Sequence, residues 1–329
     1  MFISVQYLRA IAAFMVLLSH SVFKLESNGS TLLGWYQIGG YGVDLFFIIS
    51  GFIMCLTIER NKDSFFLFMK KRIIRIIPLY WVLTSVALVI FLLLPSAVNS
   101  SGGKTSVIAS YFLIPNGDKY LINNGWTLSY EFYFYFIFSL CFAFGVFQKQ
   151  VTSFLLVFLV LIGIVFSFQN PLLTFMTNPL LLEFVLGIVA FKLIRKYSPS
   201  ISLCTFFIFL GIAGLIQVNS FGGASTPLGR SLNVGLPMFF IFIGLVSLER
   251  KVKMNKPLYE LGMSSYSLYL MHPFSLAFVT IVFKKLGIID YSLIYLLTML
   301  ITSLIMGWLC YYYLEIKLDK LIRNRTQKI

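Results

Sequence analysis

Runs of about twenty consecutive apolar residues, repeated from one end of the chain to the other, set the tightest limit on what it can become. A helix rises 1.5 Å per residue, so roughly twenty residues cross a hydrocarbon layer of ~30 Å. Ten such runs are read, at about residues 5–23, 38–58, 76–94, 126–146, 151–168, 177–194, 201–218, 232–248, 262–283 and 291–314. In lipid each backbone amide must find its partner within the protein, and a run of this length does so as a helix. Composition agrees. Of 329 residues, 59% are hydrophobic and 12% charged, against roughly 25% charged in a soluble domain. The mean hydropathy is +0.89. The reading is an all-α integral membrane protein of about ten transmembrane helices, forming one polytopic domain over residues 1–329.

A net charge of +14 could suggest a nucleic-acid partner. The basic residues, however, sit in short loops between apolar runs and make no continuous patch, so nucleic acid is excluded. Their distribution reports orientation instead, because lysine and arginine gather on the cytoplasmic side. Arg60, Lys62, Lys70, Lys71, Arg72 and Arg75 fall in the 59–75 loop, and Lys149 in the next loop on that side. Lys192, Arg195 and Lys196, then Arg250, Lys251, Lys253 and Lys256, then Lys317, Lys320, Arg323, Arg325 and Lys328 follow. The other face has only Lys24, Lys104, Lys119, Arg230, Lys284 and Lys285. Both termini are therefore expected in the cytoplasm. No basic n-region or A-x-A-like site marks a cleaved leader at the start. The connection at 95–125 begins polar, then carries a short apolar piece near Tyr111–Ile114 that is expected to be re-entrant or interfacial. Cys55, Cys141, Cys204 and Cys310 each fall in a different apolar run, with neither metal-ligand nor disulfide spacing. They read as packing residues, with an acyl-carrying cysteine as the lesser alternative, and no metal is expected.

Ionisable groups inside a span cost several kcal/mol, so they face a protein interior or a cavity. Arg9, Asp44, Glu131, Glu183 and His272 stand in this position, with His20 near the outer end of the first span; the chain has no other histidine. Arg9 and His20 are eleven residues apart, which on a helix is 20° from three full turns and about 16 Å of rise. Both would lie on one face, a cation toward the inside and a titratable base toward the outside. The plainer reading has Arg9 snorkelling to the inner headgroups and His20 as an interfacial histidine. Asp44 and Glu131 lie at a depth similar to that of His20, an arrangement suited to a base and its orienting carboxylate. They would serve equally as ion pairs joining helices. Glu183 has no obvious partner at its depth. Arg72 and Arg75, three apart beside Lys70 and Lys71, suit phosphate recognition or anchoring to anionic lipid. Pro273 after His272 frees a backbone carbonyl, and a histidine there reads as structural.

These same residues carry a resemblance. Tyr7-Leu8-Arg9-Ala10-Ile11-Ala12-Ala13 followed by Ser19-His20, Gly42-Val43-Asp44-Leu45-Phe46-Phe47-Ile48-Ile49-Ser50-Gly51-Phe52, Arg72-Ile73-Ile74-Arg75-Ile76-Ile77-Pro78-Leu79-Tyr80-Trp81, Trp126-Thr127-Leu128-Ser129-Tyr130-Glu131-Phe132-Tyr133-Phe134-Tyr135 and Ser265-Tyr266-Ser267-Leu268-Tyr269-Leu270-Met271-His272-Pro273 occur in that order. In this the chain resembles the acyltransferase 3 family, bacterial membrane enzymes that O-acylate surface carbohydrates. It is similar to the short branch without a fused esterase-like domain, where O-antigen and exopolysaccharide O-acetyltransferases belong. Thr127 stands where serine is usual and Lys71 where arginine is often seen.

The resemblance implies an acetyl-coenzyme A (acyl-coenzyme A) donor, used as a substrate with no permanently bound cofactor. It also implies a carbohydrate acceptor, a surface polysaccharide or a lipid-linked oligosaccharide, and a place in the bacterial inner membrane. His20, Asp44 and Glu131 become the expected catalytic residues, and Arg9, Lys71, Arg72 and Arg75 the expected acyl-coenzyme A contacts. His272, Glu183, Trp126 and Tyr133 are expected to line an acyl tunnel or to be structural. A transporter of lipid-linked saccharide is the competing class, since buried ionisable residues also mark transport paths. It should show repeats or paired broken helices, and neither is evident in the sequence.

Overall fold

The computed structural model of the protein describes residues 2–60, 63–95 and 103–326. Lys62, Lys328 and the Arg325 side chain, all counted in the basic face, lie outside the described residues, as does the 96–102 start of the long connection. In chain order the helices are α1 (Ile3–Glu26), α2 (Gly42–Arg60), α3 (Phe65–Leu93), α4 (Val107–Phe112) and α5 (Gly125–Leu140). Then come α6 (Gln148–Phe166), α7 (Pro171–Met176), α8 (Leu181–Lys196), α9 (Ile201–Phe221) and α10 (Pro227–Arg230). The last are α11 (Leu236–Ser247), α12 (Lys256–Met263), α13 (Ser265–Leu286), α14 (Ser292–Cys310) and α15 (Ile316–Thr326). The protein is an all-α integral membrane protein.

Nine stretches among the described residues are long and apolar enough to cross a membrane. The fourth, Gly125–Phe166, holds two of the ten expected runs. It consists of α5 and α6, joined by a 3-10 segment, Cys141–Phe147, in which Gly145 takes φ 51° and ψ −117°. That left-handed backbone is open to glycine at little cost. The remaining eight stretches each coincide with one expected run. The largest boundary difference is at α3, which starts at Phe65 rather than near 76. Phe65-Phe66-Leu67-Phe68-Met69 precede the basic cluster, and a helix runs through it because long cationic side chains can extend away from apolar surroundings.

Contacts gather into two compact units: Met1–Met15, Gly40–Phe66 and Tyr130–Met263 in one, Val16–Gly39, Leu67–Ser129 and Ser264–Ile329 in the other. The first unit is built on two close helix pairs. In α2 against α8, a Cβ on Gly51 would lie 2.2 Å from the Phe184 carbonyl oxygen, and one on Gly187 2.2 Å from that of Ile48. No side chain fits at either point, so the backbones touch, as small residues allow in membranes. Around this contact Phe47 and Phe134 pack on Phe184, with centroids 4.7 and 4.4 Å away, and Phe52 meets Phe242 at 5.1 Å. The second pair, α9 with α11, closes through Gly211 and Gly244. The N-terminus of α1 is held by Glu249, whose carboxylate accepts the backbone N–H groups of Ile3 (2.7 Å) and Ser4 (2.8 Å). A carboxylate there satisfies two orphan donors and meets the positive end of the helix dipole.

In the second unit, α13 packs on α14, with Gly307 against the Leu268 backbone. The apolar piece of the long connection forms α4. Ser106 caps its start by accepting from the Ala109 N–H, and Leu113 ends it in the left-handed conformation. Tyr80 and Trp81 of α3 tie it down by donating to the carbonyls of Ser110 (2.7 Å) and Tyr111 (2.9 Å). Burial pushes the Tyr120 hydroxyl above the ordinary phenol range. It therefore keeps its proton and shares a 3.0 Å bond with Ser129 Oγ.

Candidate active site

His20 on α1 and His272 on α13, 252 residues apart in sequence, meet in the second unit with Nδ1 of the first 2.8 Å from Nε2 of the second. Their ring centroids are 5.0 Å apart. His272 is buried (1% exposed), while His20 is half-buried. The chain of bonds assigns the tautomers. Nδ1 of His272 lies 3.0 Å from the Leu268 carbonyl oxygen, which can only accept. That nitrogen therefore carries the proton, and in the neutral ring Nε2 presents a lone pair. His20 must then donate from Nδ1, which leaves its own Nε2 unprotonated. A neutral imidazole held with a bare Nε2 is a general base. If it gains a proton, the chain His20–His272–Leu268 can spread the charge toward a carbonyl dipole.

The carbonyl freed by Pro273 is that of Tyr269, four residues earlier. Asn124 Nδ2 fills it at 2.7 Å, and Thr127 Oγ1 meets the Tyr269 hydroxyl at 3.0 Å. The proline's cost is thus met by the start of α5, which leaves His272 for His20. The neighbouring Trp126 is half-buried in the first turn of α5. In the same unit, Lys70, Lys71 and Arg75 are exposed near the start of α3, and the Arg72 guanidinium lies 5.3 Å from the Phe68 ring centroid.

The carboxylates lie in the first unit, each with partners of its own. Asp44, fully buried at the start of α2, receives Arg230 Nε at Oδ1 (2.9 Å) and Nη2 at Oδ2 (2.6 Å). The same guanidinium sits 5.2 Å from the Tyr41 ring centroid. Glu131 on α5 accepts from Ser50 Oγ (2.9 Å) and the Tyr135 hydroxyl (3.1 Å). Sequence reasoning placed a carboxylate beside His20. The group the structure sets on its Nδ1 is the other imidazole, and both Asp44 oxygens are engaged by Arg230. In the sequence Arg230 reads only as a loop cation on the poorly charged face. Its sequence signal was its place, three residues beyond the Pro227 that opens a short helix and directly before an apolar run.

Glu183 is fully buried in the first turn of α8, within electrostatic reach of Asp44, Arg230 and Ser231. Its two oxygens have no hydrogen-bond partner among the described residues. It faces a π-helical segment, Ser231–Gly235, where a Cβ on Gly235 would lie 3.3 Å from Glu183 Cγ. π-bulges recur at functional sites. An unsatisfied buried polar group costs about 1–3 kcal/mol, so Glu183→Leu, similar in volume, is expected to raise stability by about 1 kcal/mol or more. Thermal unfolding in detergent reads it; a lower Tm would mean that the carboxyl is satisfied in the folded protein. Tyr133 anchors α7, its hydroxyl donating to the Met176 carbonyl at 3.3 Å and its ring 5.6 Å from Phe175. Arg9 is half-buried on α1. The four cysteines are all buried free thiols.

Among relatives, the exopolysaccharide production protein ExoZ of Rhizobium meliloti (strain 1021) is 31% identical over 256 residues, covering 74% of this chain and 78% of that protein. The O-acetyl transferase of Shigella phage Sf6 is 32% identical over 145 residues, 39% of this chain and 42% of the other. No solved structure matches. The profile described as an acyltransferase domain, Acyl_transf_3, matches residues 2–312. The stretch runs through both contact units and includes His20, Asp44, Glu131, Arg230 and His272. Its extent makes the chain a member of the acyltransferase 3 family, a membrane acyltransferase.

Proposed function

We propose that the protein is an O-acetyltransferase of the bacterial inner membrane. It moves the acetyl group of acetyl-coenzyme A from the cytoplasmic side to a sugar hydroxyl of a surface polysaccharide or its lipid-linked precursor. The observation that carries the chemistry is the His20–His272 pair, because its bonding leaves His20 Nε2 free to take a proton. The acceptor hydroxyl gives its proton to that nitrogen as its oxygen attacks the thioester carbonyl. The carbon–sulfur bond then breaks, and the departing thiolate of the coenzyme takes the proton back. His272 acts as the positioning residue, in the role first expected of a carboxylate.

Arg72, Arg75 and Lys71 hold the coenzyme's phosphates, aided by Arg9, eleven residues before His20 on α1. Guanidinium groups suit this task through paired hydrogen bonds. Asp44, bonded to Arg230, and Glu131, bonded to Ser50 and Tyr135, remain proposed catalytic residues. The carbohydrate acceptor is supported by the name of one relative, an exopolysaccharide production protein, and the acetyl group by that of the other, an O-acetyl transferase.

Two measurements test the reading. Glycan NMR of cells with and without the gene should differ by one O-acetyl signal, and membranes holding the protein should transfer label from acetyl-coenzyme A. In that assay His272→Ala is expected to lower kcat by about 10²-fold with little change in KM. His272→Gln, whose amide oxygen can still accept from His20 Nδ1, should recover part of it. Equal loss in both variants, or a loss confined to KM, would remove His272 from the relay.

A further inference from the structure

A surface pocket of about 410 Å³ lies in the first unit, where the end of α2, the start of α6 and the end of α8 come together. Its lining is charged in one sense: Lys149, Lys192, Arg195 and Lys196 against the single carboxylate of Glu59. Arg195 is ion-paired to Glu59, so three ammonium groups remain without an ion-pair partner among the described residues. The floor is aromatic. Lys149 Nζ stands 4.9 Å from the Phe191 ring centroid and the Arg195 guanidinium 5.7 Å from it. Such stacking fixes the position of charges on otherwise flexible stems.

The lip of the pocket is apolar. Val146 lines it with 86% of its surface exposed, and the adjoining Phe147 is 64% exposed. A site for a soluble anion has no use for such residues. A cluster of ammonium groups beside exposed apolar side chains, at the end of membrane-spanning helices, matches a molecule with a phosphate head and hydrocarbon tails.

We infer that this pocket binds the phosphodiester headgroup of an anionic phospholipid. Lys149, Lys192 and Lys196 take the phosphate, and the lipid tails lie along Val146 and Phe147. Its residues are other than Arg72 and Arg75, to which the coenzyme is assigned, and the proposal gives it no part in acyl transfer. Removing all three lysines from a charged lipid surface is expected to lower affinity for the anionic lipid roughly a hundredfold.

The test uses the full-length protein and the triple variant K149A/K192A/K196A, which keeps the Arg195–Glu59 pair. Both are placed in nanodiscs of phosphatidylcholine with or without phosphatidylglycerol, and retained lipid is read by native mass spectrometry after delipidation. The wild type should keep phosphatidylglycerol over phosphatidylcholine, the triple variant should lose that preference, and K149R/K192R/K196R should restore it. Raising salt should weaken retention by the wild type. Adenosine 3′,5′-bisphosphate, the soluble phosphate alternative, is titrated in parallel. Equal retention of phosphatidylglycerol by wild type and triple variant overturns the proposal. So does a triple variant that loses the nucleotide while keeping the lipid. An unchanged Tm in the triple variant separates lost binding from lost folding.

Discussion

His20→Ala is expected to lower acetyl transfer by about 10²–10⁴-fold, the range for removing a general base. The loss should fall on kcat, because the alanine variant keeps the basic cluster at the start of α3 and should bind coenzyme as before. His20→Gln is the sharper control: its amide can still bond to His272 but cannot accept a proton at neutral pH. It should be as inactive as alanine. Transfer of labelled acetyl from acetyl-coenzyme A in purified membranes, with coenzyme binding measured alongside, decides the matter. A glutamine variant within tenfold of wild type would mean that His20 positions substrate rather than moving a proton.

Arg230→Ala is expected to have the largest effect on stability. Asp44 is fully buried, and its two bonds at 2.9 and 2.6 Å to Arg230 compensate its charge. Removing one partner of a buried pair costs about 3–5 kcal/mol, because the other charge is left stranded. Adding Asp44→Asn should recover much of that loss, since the amide is neutral. This gives a double-mutant cycle with large coupling. Arg230→Lys should recover less than half, because one ammonium cannot replace the paired geometry of the guanidinium. Denaturation in detergent reads the four forms of the cycle and Arg230→Lys. An Arg230→Ala protein within ~0.5 kcal/mol of wild type, the scale of an ordinary surface substitution, would show that solvent reaches Asp44.

The helices were legible because the length of an apolar run is a direct physical requirement of the bilayer. The start of α3 was hidden because Lys70, Lys71, Arg72 and Arg75 interrupt hydropathy without interrupting the helix. Asp44, Glu131, Glu183 and His272 stood out because charge inside a span is costly, a signal that needs no neighbour. What pairs with what was not legible. His20 and His272 are brought together by the packing of α1 and α13, and no local pattern records a contact between residues 252 apart. Arg230 was missed for the opposite reason: a cation at a loop boundary looks ordinary until the carboxylate it reaches, 186 residues earlier, is known.

The glycine contact between α2 and α8 has a consequence for movement. Gly51 and Gly187 bring two backbones together with no side chain between them to change rotamer. Sliding one helix past the other would drive the Cα of each glycine out of its notch and the neighbouring side chains into the opposite backbone. The pair therefore behaves as one stiff plank. Asp44 and Ser50 ride on one half of it and Glu183 on the other, so the close backbone contact ties their register together. In the proposed reaction, any opening that admits the acceptor or releases the donor is expected at a break in the helices, such as Gly145, where a new Cβ would meet nothing within 4 Å, rather than at this contact.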